Sequence, residues 1–114
     1  MALFAAAAPS SASAGVVDAY CSPTGDYCTG ILRQNGRIKL SISTFSFTGK
    51  YNLTVKLPGV CSQTKTYRLR PKPQGIYSSS IDFARNFSCD GPGRYAVTWR
   101  WRGTQLGPAL YGQL

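Results

Sequence analysis

The sequence predicts an antiparallel β-sandwich, and three observations predict it. Apolar residues recur with a period of two in segment after segment, as half-buried strands require. Turn residues divide those segments at the spacing of sandwich strands: Asn35-Gly36, Thr48-Gly49, Pro58-Gly59, Gly91-Pro92-Gly93 and Gly103. No segment carries the 3.6-residue period of an amphipathic helix of useful length. At this length, about seven strands form one core and one domain. A small β-barrel is the alternative arrangement.

Residues 1–14 stand apart from that pattern. An Ala-rich apolar run is followed by Ala12-Ser13-Ala14 before Gly15, a small-residue pattern that a signal peptidase accepts. No Lys or Arg precedes the run, so it reads as the tail of a signal peptide whose basic start lies upstream, the other reading being a disordered leader. The domain is then expected over 15–114, in a secreted protein. Nothing else approaches the ~20 apolar residues of a membrane span.

Strands are expected at 16–20, 37–43, 51–57, 65–70, 80–87, 95–102 and 108–112, with a short one at 30–33. Ile38, Leu40 and Ile42 alternate with Lys39, Ser41 and Ser43. Tyr51, Leu53, Val55 and Leu57 alternate with Lys50, Asn52, Thr54 and Lys56, and Tyr67 and Leu69 with Arg68 and Arg70. Ile81, Phe83 and Phe87 hold one parity, and Tyr95, Val97, Trp99 and Trp101 another against Arg94, Thr98, Arg100 and Arg102. The inward set is even through Ile42 and odd from Phe45, which places a bulge or break near Ser43-Thr44.

Four cysteines in a short exported chain read as two disulfides. The spacing favours Cys21–Cys28, across the Ser22-Pro23-Thr24-Gly25-Asp26-Tyr27 turn, and Cys61–Cys89. A four-cysteine zinc site would call for closely spaced Cys-x-x-Cys pairs, which are missing.

Asp90-Gly91-Pro92-Gly93-Arg94-Tyr95-Ala96-Val97 resembles the E–F corner of immunoglobulin-like and fibronectin-type sandwiches. The resemblance implies that Tyr95 is a structural corner residue, its ring buried and its hydroxyl turned back onto upstream backbone. Cys89 precedes this tyrosine instead of following it, and position 51 is Tyr where antibody domains carry Trp, so only the architecture is implied. Together with Cys21-Ser22-Pro23-Thr24-Gly25-Asp26 and Leu106-Gly107-Pro108, the motif also resembles small secreted proteins of uncharacterised function from high-GC Gram-positive bacteria.

The chain has no His, which removes the commonest general base and metal ligand. Asp26 and Asp90 lie in turn sequences, Asp18 and Asp82 fall in different strands, and Ser78-Ser79-Ser80 has no nucleophile-elbow glycines. No catalytic residue, metal ligand or cofactor is nominated, and an enzyme is not expected. Asn52-Leu53-Thr54 and Asn86-Phe87-Ser88 fit the glycosylation sequon, which matters only in a eukaryotic source.

The charge is the distinctive feature: 13 Lys and Arg against 4 Asp give +9. Lys39, Lys50, Lys56, Arg68, Arg70, Arg100 and Arg102 all have outward parity, with no acidic residue at i±2. Arg68, Arg70, Lys72, Arg100 and Arg102 are the candidate anion-binding residues, with Arg68 and Arg70 on one face and Arg100 and Arg102 on another. The partner they imply is an anionic polymer or cell-envelope surface, and no motif for specific nucleic-acid recognition accompanies them. Solubility and protection of strand edges would use the same residues. Two other readings stay open: a sugar-stacking platform at Trp99 and Trp101, and a protease inhibitor presenting loop 22–27. A monomer is expected in each case.

Overall fold

The computed structural model describes residues 14–45, 47, 49–57, 59, 61–69, 76–89 and 91–113. In chain order these form β1 (Ala14–Cys21), β2 (Tyr27–Gln34), β3 (Arg37–Phe45), β4 (Gly49–Leu57), β5 (Cys61–Leu69) and β6 (Ile76–Asp82). A single helical turn α1 (Phe83–Asn86) follows, then β7 (Arg94–Trp101), β8 (Thr104–Gln105) and β9 (Leu110–Gln113). The predicted leader lies outside the described residues up to position 13.

Two antiparallel sheets face each other in an open sandwich, not a closed barrel. One is four-stranded, ordered β1-β2-β3-β6; the other runs β5-β4-β7, with β8 and β9 both pairing the far side of β7. Between them lie Ile31, Leu40 and Ile42 from the first sheet and Tyr51, Leu53, Val55, Tyr95, Val97 and Trp99 from the second, each no more than 2% exposed. Burial pushes the Tyr51 hydroxyl up to about 12 against the opposing effect of the neighbouring Thr44 hydroxyl. The β2–β3 hairpin turns at Asn35 (φ 51°) and Gly36 (φ 76°). Both are left-handed, as a type I′ turn requires.

Four details depart from the expectation. β3 runs through Ser43 and Thr44 in unbroken register with β2 and β6. Thr44, 1% exposed, extends the even inward row, so the parity change falls after Phe45, where the chain crosses between sheets. The irregularity in the ladder is in β1, between Val16 and Asp18. Second, the predicted strand over 80–87 ends at Asp82. Phe83 and Phe87 have helical i, i+4 spacing, their rings lie 5.4 Å apart, and Asp82 caps the turn by accepting from Arg85 N–H at 3.4 Å. Third, β2 and β5 are longer than predicted. Polar Thr29, Ser62, Gln63 and Thr64 carry no apolar alternation, yet the ladder includes them. Fourth, β7 ends at Trp101, and Arg102 occupies the following turn at φ 51°.

The two open sides of the sandwich are closed differently. On one, the Cys61–Cys89 disulfide ties the edge strand β5 to the segment after α1. Beside it, Gln63 donates Nε2 to Ser88 Oγ at 2.6 Å, and Ser88 N–H donates to Gln63 Oε1 at 3.2 Å. Asn86 is engaged there too, donating to the Asp82 carbonyl at 2.7 Å and accepting from the Tyr67 hydroxyl at 3.3 Å. On the other side, Asp18 accepts Tyr111 N–H at 2.9 Å and so caps the free edge of β9. Beneath it, Gly107 has φ 72°, and a Cβ there would come within 2.6 Å of the Tyr20 ring. Cys21–Cys28 forms within the β1–β2 hairpin, where the two residues oppose each other. The Tyr95 hydroxyl meets the Cys89 carbonyl at 2.8 Å and also the Gly91 carbonyl, so the buried ring keeps its polar tip satisfied.

Asp82 holds both ion pairs found among the described residues. Arg37 donates Nε to its Oδ2 at 2.5 Å, and Lys39 Nζ lies 3.6 Å from the same oxygen. The Arg37 hydrogen bond holds the carboxyl below its usual range against desolvation, the next largest effect, with smaller help from the Arg85 N–H and the two positive charges. A depressed folded value means that this contribution is complete above the unfolded value of about 3.9 and is lost as pH falls through the folded one. Asp82→Asn should therefore be less stable than wild type at pH 7, with the difference closing in acid. Denaturant curves across pH would measure it. A difference that stays constant to low pH would contradict the assignment.

Candidate functional site

Strand alternation in the five-stranded sheet sends odd residues of β4 and β7 into the core and even residues to its outer face. That face therefore carries Lys50, Asn52, Thr54 and Lys56 from β4 and Arg94, Ala96, Thr98 and Arg100 from β7. The edge strands add Ser62, Thr64, Thr66 and Arg68 from β5, and Tyr111 from β9. Lys50 stands directly opposite Arg68, Lys56 opposite Ala96, Ala96 opposite Tyr111, and Arg100 between Asn52 and Gln105. Lys50, Lys56, Arg68, Arg94 and Arg100 are all exposed.

None of the described residues of this sheet is acidic. The described carboxylates belong elsewhere: Asp18 to β1, Asp26 to the β1–β2 turn and Asp82 to the end of β6. Each is already hydrogen-bonded. Asp18 accepts from Ala19 N–H and Tyr111 N–H, both at 2.9 Å, Asp26 from Thr24 at 2.8 Å, and Asp82 from Arg37. Charge is thus segregated by sheet. Like charges directly opposite in a ladder destabilise it by up to roughly 1 kcal/mol, so the Lys50–Arg68 pair is a cost to the fold with none of the described carboxylates to relieve it.

The face is not flat. β8 and β9 share the far side of β7, and where one gives way to the other a hollow of ≈ 210 Å³ opens, lined by Thr54, Lys56, Ala96, Thr98, Arg100, Gln105, Ala109 and Tyr111. A smaller hollow of ≈ 120 Å³ is lined by Lys56, Arg94, Tyr95, Ala96 and Tyr111. Tyr111, 49% exposed, borders both. Arg94 lies over its ring, 5.1 Å from the centroid, and lines only the smaller one. Arg100 directs Nη1 to the Gly103 carbonyl at 3.1 Å, which fixes its guanidinium at the hollow's rim.

Of the candidate residues, Arg68 and Arg100 share this one face, on opposite sides of β4; they do not occupy separate faces. Arg70 and Lys72 lie outside the described residues. Arg102 does not continue the Arg100 row. Its left-handed turn position swings the guanidinium over the Trp101 ring, 4.9 Å from the centroid. Lys39, also of outward parity, belongs to the other sheet and is compensated across the ladder by Asp82. The sugar platform at Trp99 and Trp101 is not formed: Trp99 is 2% exposed in the core, and Trp101 stacks on Phe47 at 4.3 Å. The 22–27 turn is held by its own bonds, Ser22 Oγ accepting from Asp26 N–H at 2.9 Å and Tyr27 N–H at 3.3 Å.

Arg94 and Tyr111 are the members that sequence patterning did not select. Arg94 had the right parity but sat just before the predicted strand. Tyr111 belongs to a four-residue edge strand, too short for its alternation to show which way it faces.

Fold and face together define a small two-disulfide β-sandwich with one face that is cationic and, among the described residues, free of acids. Compared with known protein families, curated proteins and solved structures, the chain matches none. No helix among the described residues is long and apolar enough to cross a membrane.

Proposed function

We propose that this is a secreted, monomeric, non-enzymatic binding module that engages an anionic polymer or cell-envelope surface through the outer face of its five-stranded sheet. The observation that carries the reading is the segregation of charge: Lys50, Lys56, Arg68, Arg94 and Arg100 on one face, with every described carboxylate off that sheet. Charges kept only for solubility would gain from interspersed signs. An uncompensated face instead attracts and orients polyanions. Two disulfides in a domain this small are compatible with an oxidising, extracellular setting, and the Ala12-Ser13-Ala14 pattern supports export. An immunoglobulin-like architecture is supported by Tyr95 and by strand order. β2-β3-β6 and β5-β4-β7-β9 follow the A-B-E and C′-C-F-G arrangement of those sandwiches, with β1 added outside. Nucleic acid would bind through charge alone, without base readout.

The test compares two double variants that each remove two charges. Lys50→Ser with Arg68→Ser alters the face; Arg33→Ser with Arg85→Ser removes exposed cations elsewhere. The face pair should weaken binding to a polyanion about ten-fold near ~0.15 M salt and flatten the slope of log K against log salt by about 1.5, the release of two contacts' counterions. The other pair should change little. Equal losses would reduce the charge to a nonspecific field and overturn the proposal.

A further inference from the structure

The hollow beside Tyr111 narrows the class of polymer. Resting on the reading just given, we infer that the polymer is an acidic polysaccharide and that one uronate-type sugar ring seats in this hollow, between Lys56 and Arg100, against the Tyr111 ring.

Size is the first argument. A hollow of ≈ 210 Å³ falls below the ~300–1,000 Å³ of sites that enclose a drug-sized ligand. It suits one ring-sized unit of a longer chain that continues over the open face. A polymer of bare phosphates has no unit to fill it and would need only the charges.

The lining chemistry is the second. The floor is made of small side chains, Ala96 with the hydroxyls of Thr54 and Thr98. A hydroxyl both donates and accepts, so it can pair with sugar hydroxyls, which do the same. A phosphate oxygen only accepts. Cations stand at the two ends, Lys56 level with Ala96 and Arg100 four positions further along β7, ~13 Å away at the strand rise. Both can reach carboxylates on the seated ring or its neighbour, and Arg100, held by Gly103, presents a planar fork that matches a carboxylate in two-point contact.

Tyr111 is the third. Its exposed ring, on an edge strand, offers an apolar surface with a polar tip, complementary to a pyranose with an apolar C–H face and a hydroxylated rim. Arg94 lies over the ring and Asp18 holds the backbone that carries it, both before any ligand arrives. Prepositioned aromatics cost less ordering entropy on binding.

The experiment measures binding of a galacturonate hexamer, a polyphosphate of equal charge and a thymidylate oligomer of equal charge, by calorimetry or fluorescence anisotropy. Wild type should bind the uronate hexamer at least ten-fold more tightly than polyphosphate at the same salt. Tyr111→Ala should remove that preference, weakening the uronate ten-fold or more and polyphosphate less than two-fold, while Tyr111→Phe keeps most of it. Ala96→Leu, which fills the floor while keeping Tyr111 and every charged residue in the chain, should act as Tyr111→Ala does and serves if that variant folds poorly. If neither variant changes the ratio of uronate to polyphosphate affinity, the sugar subsite is wrong, while the charged face stands. A loss of thymidylate binding as large as that of uronate would assign Tyr111 to base stacking and also overturn it. Failure of wild type to bind any of the three at low salt would remove the charged-face reading and the subsite together.

Discussion

Replacing Cys61 and Cys89 by alanine is expected to lower the unfolding free energy by about 3–4 kcal/mol, and replacing Cys21 and Cys28 by about 2–2.5 kcal/mol. The difference begins in the unfolded chain: the bridges span sequence separations of 28 and 7, and the longer loop loses more entropy when closed. The folded structure widens it. Cys21 and Cys28 are cross-strand partners at the mouth of a hairpin whose turn is already held by Ser22, Gly25 and Tyr27 backbone bonds. Cys61–Cys89 instead joins an edge strand, whose only ladder partner among the described residues is β4, to the connection leading into β7. The Gln63–Ser88 bonds lie beside that bridge and should fray with it. Chemical denaturation of the two double variants would rank them. Equal losses, or the opposite order, would show that the bridge over the longer separation is not what clamps β5.

Trp99→Ala is expected to cost about 3–5 kcal/mol, the range for emptying a large aromatic site in a packed core. Trp99 is the largest of the fully buried side chains and lies on the central strand β7, its ring 6.3 Å from that of Tyr67. Trp99→Phe should cost far less. Phenylalanine keeps most of the packing, and it removes an indole N–H that is buried without a hydrogen-bond partner among the described residues; leaving such a donor unpaired is itself unfavourable. The same variant separates core from surface: because the ring is 2% exposed, Trp99→Phe should leave binding to acidic oligosaccharide unchanged while shifting the melting temperature. A loss of binding without a loss of stability would return Trp99 to the role of a sugar platform.

These two expectations mark where patterning was sufficient and where it was not. Period-two alternation located β3, β4 and β7 because each has one face in the core, so burial writes itself into the residue order. It found only part of β5 and β2. An edge strand such as β5 is exposed along most of its length and has no reason to alternate, and β2 is buried through Thr29 and Gly30, which carry no apolar signal. It misread 80–87 because Phe83 and Phe87 satisfy a period of two and a period of four alike. Only the Asp82 cap and the end of pairing with β3 select the helical turn.

The candidate face divides in the same way. Parity alone set Arg68 and Arg100 outward, and composition alone announced a surplus of positive charge. Spacing named both disulfides; for Cys21–Cys28 the intervening turn supported it, because local turn chemistry controls where those two strand ends meet. Parity assigns each residue to one side of its own strand and says nothing about which strands share a sheet. That Arg68, Lys50 and Arg100 stand on one surface while Lys39 meets Asp82 on the other follows from β5-β4-β7 pairing against β2-β3-β6. Two of those pairings, β4 with β7 and β3 with β6, join residues far apart in the chain. The hollow beside Tyr111 exists because β8 and β9 break off against β7. Such features arise from long-range packing between strands, and only the folded chain brings those strands together.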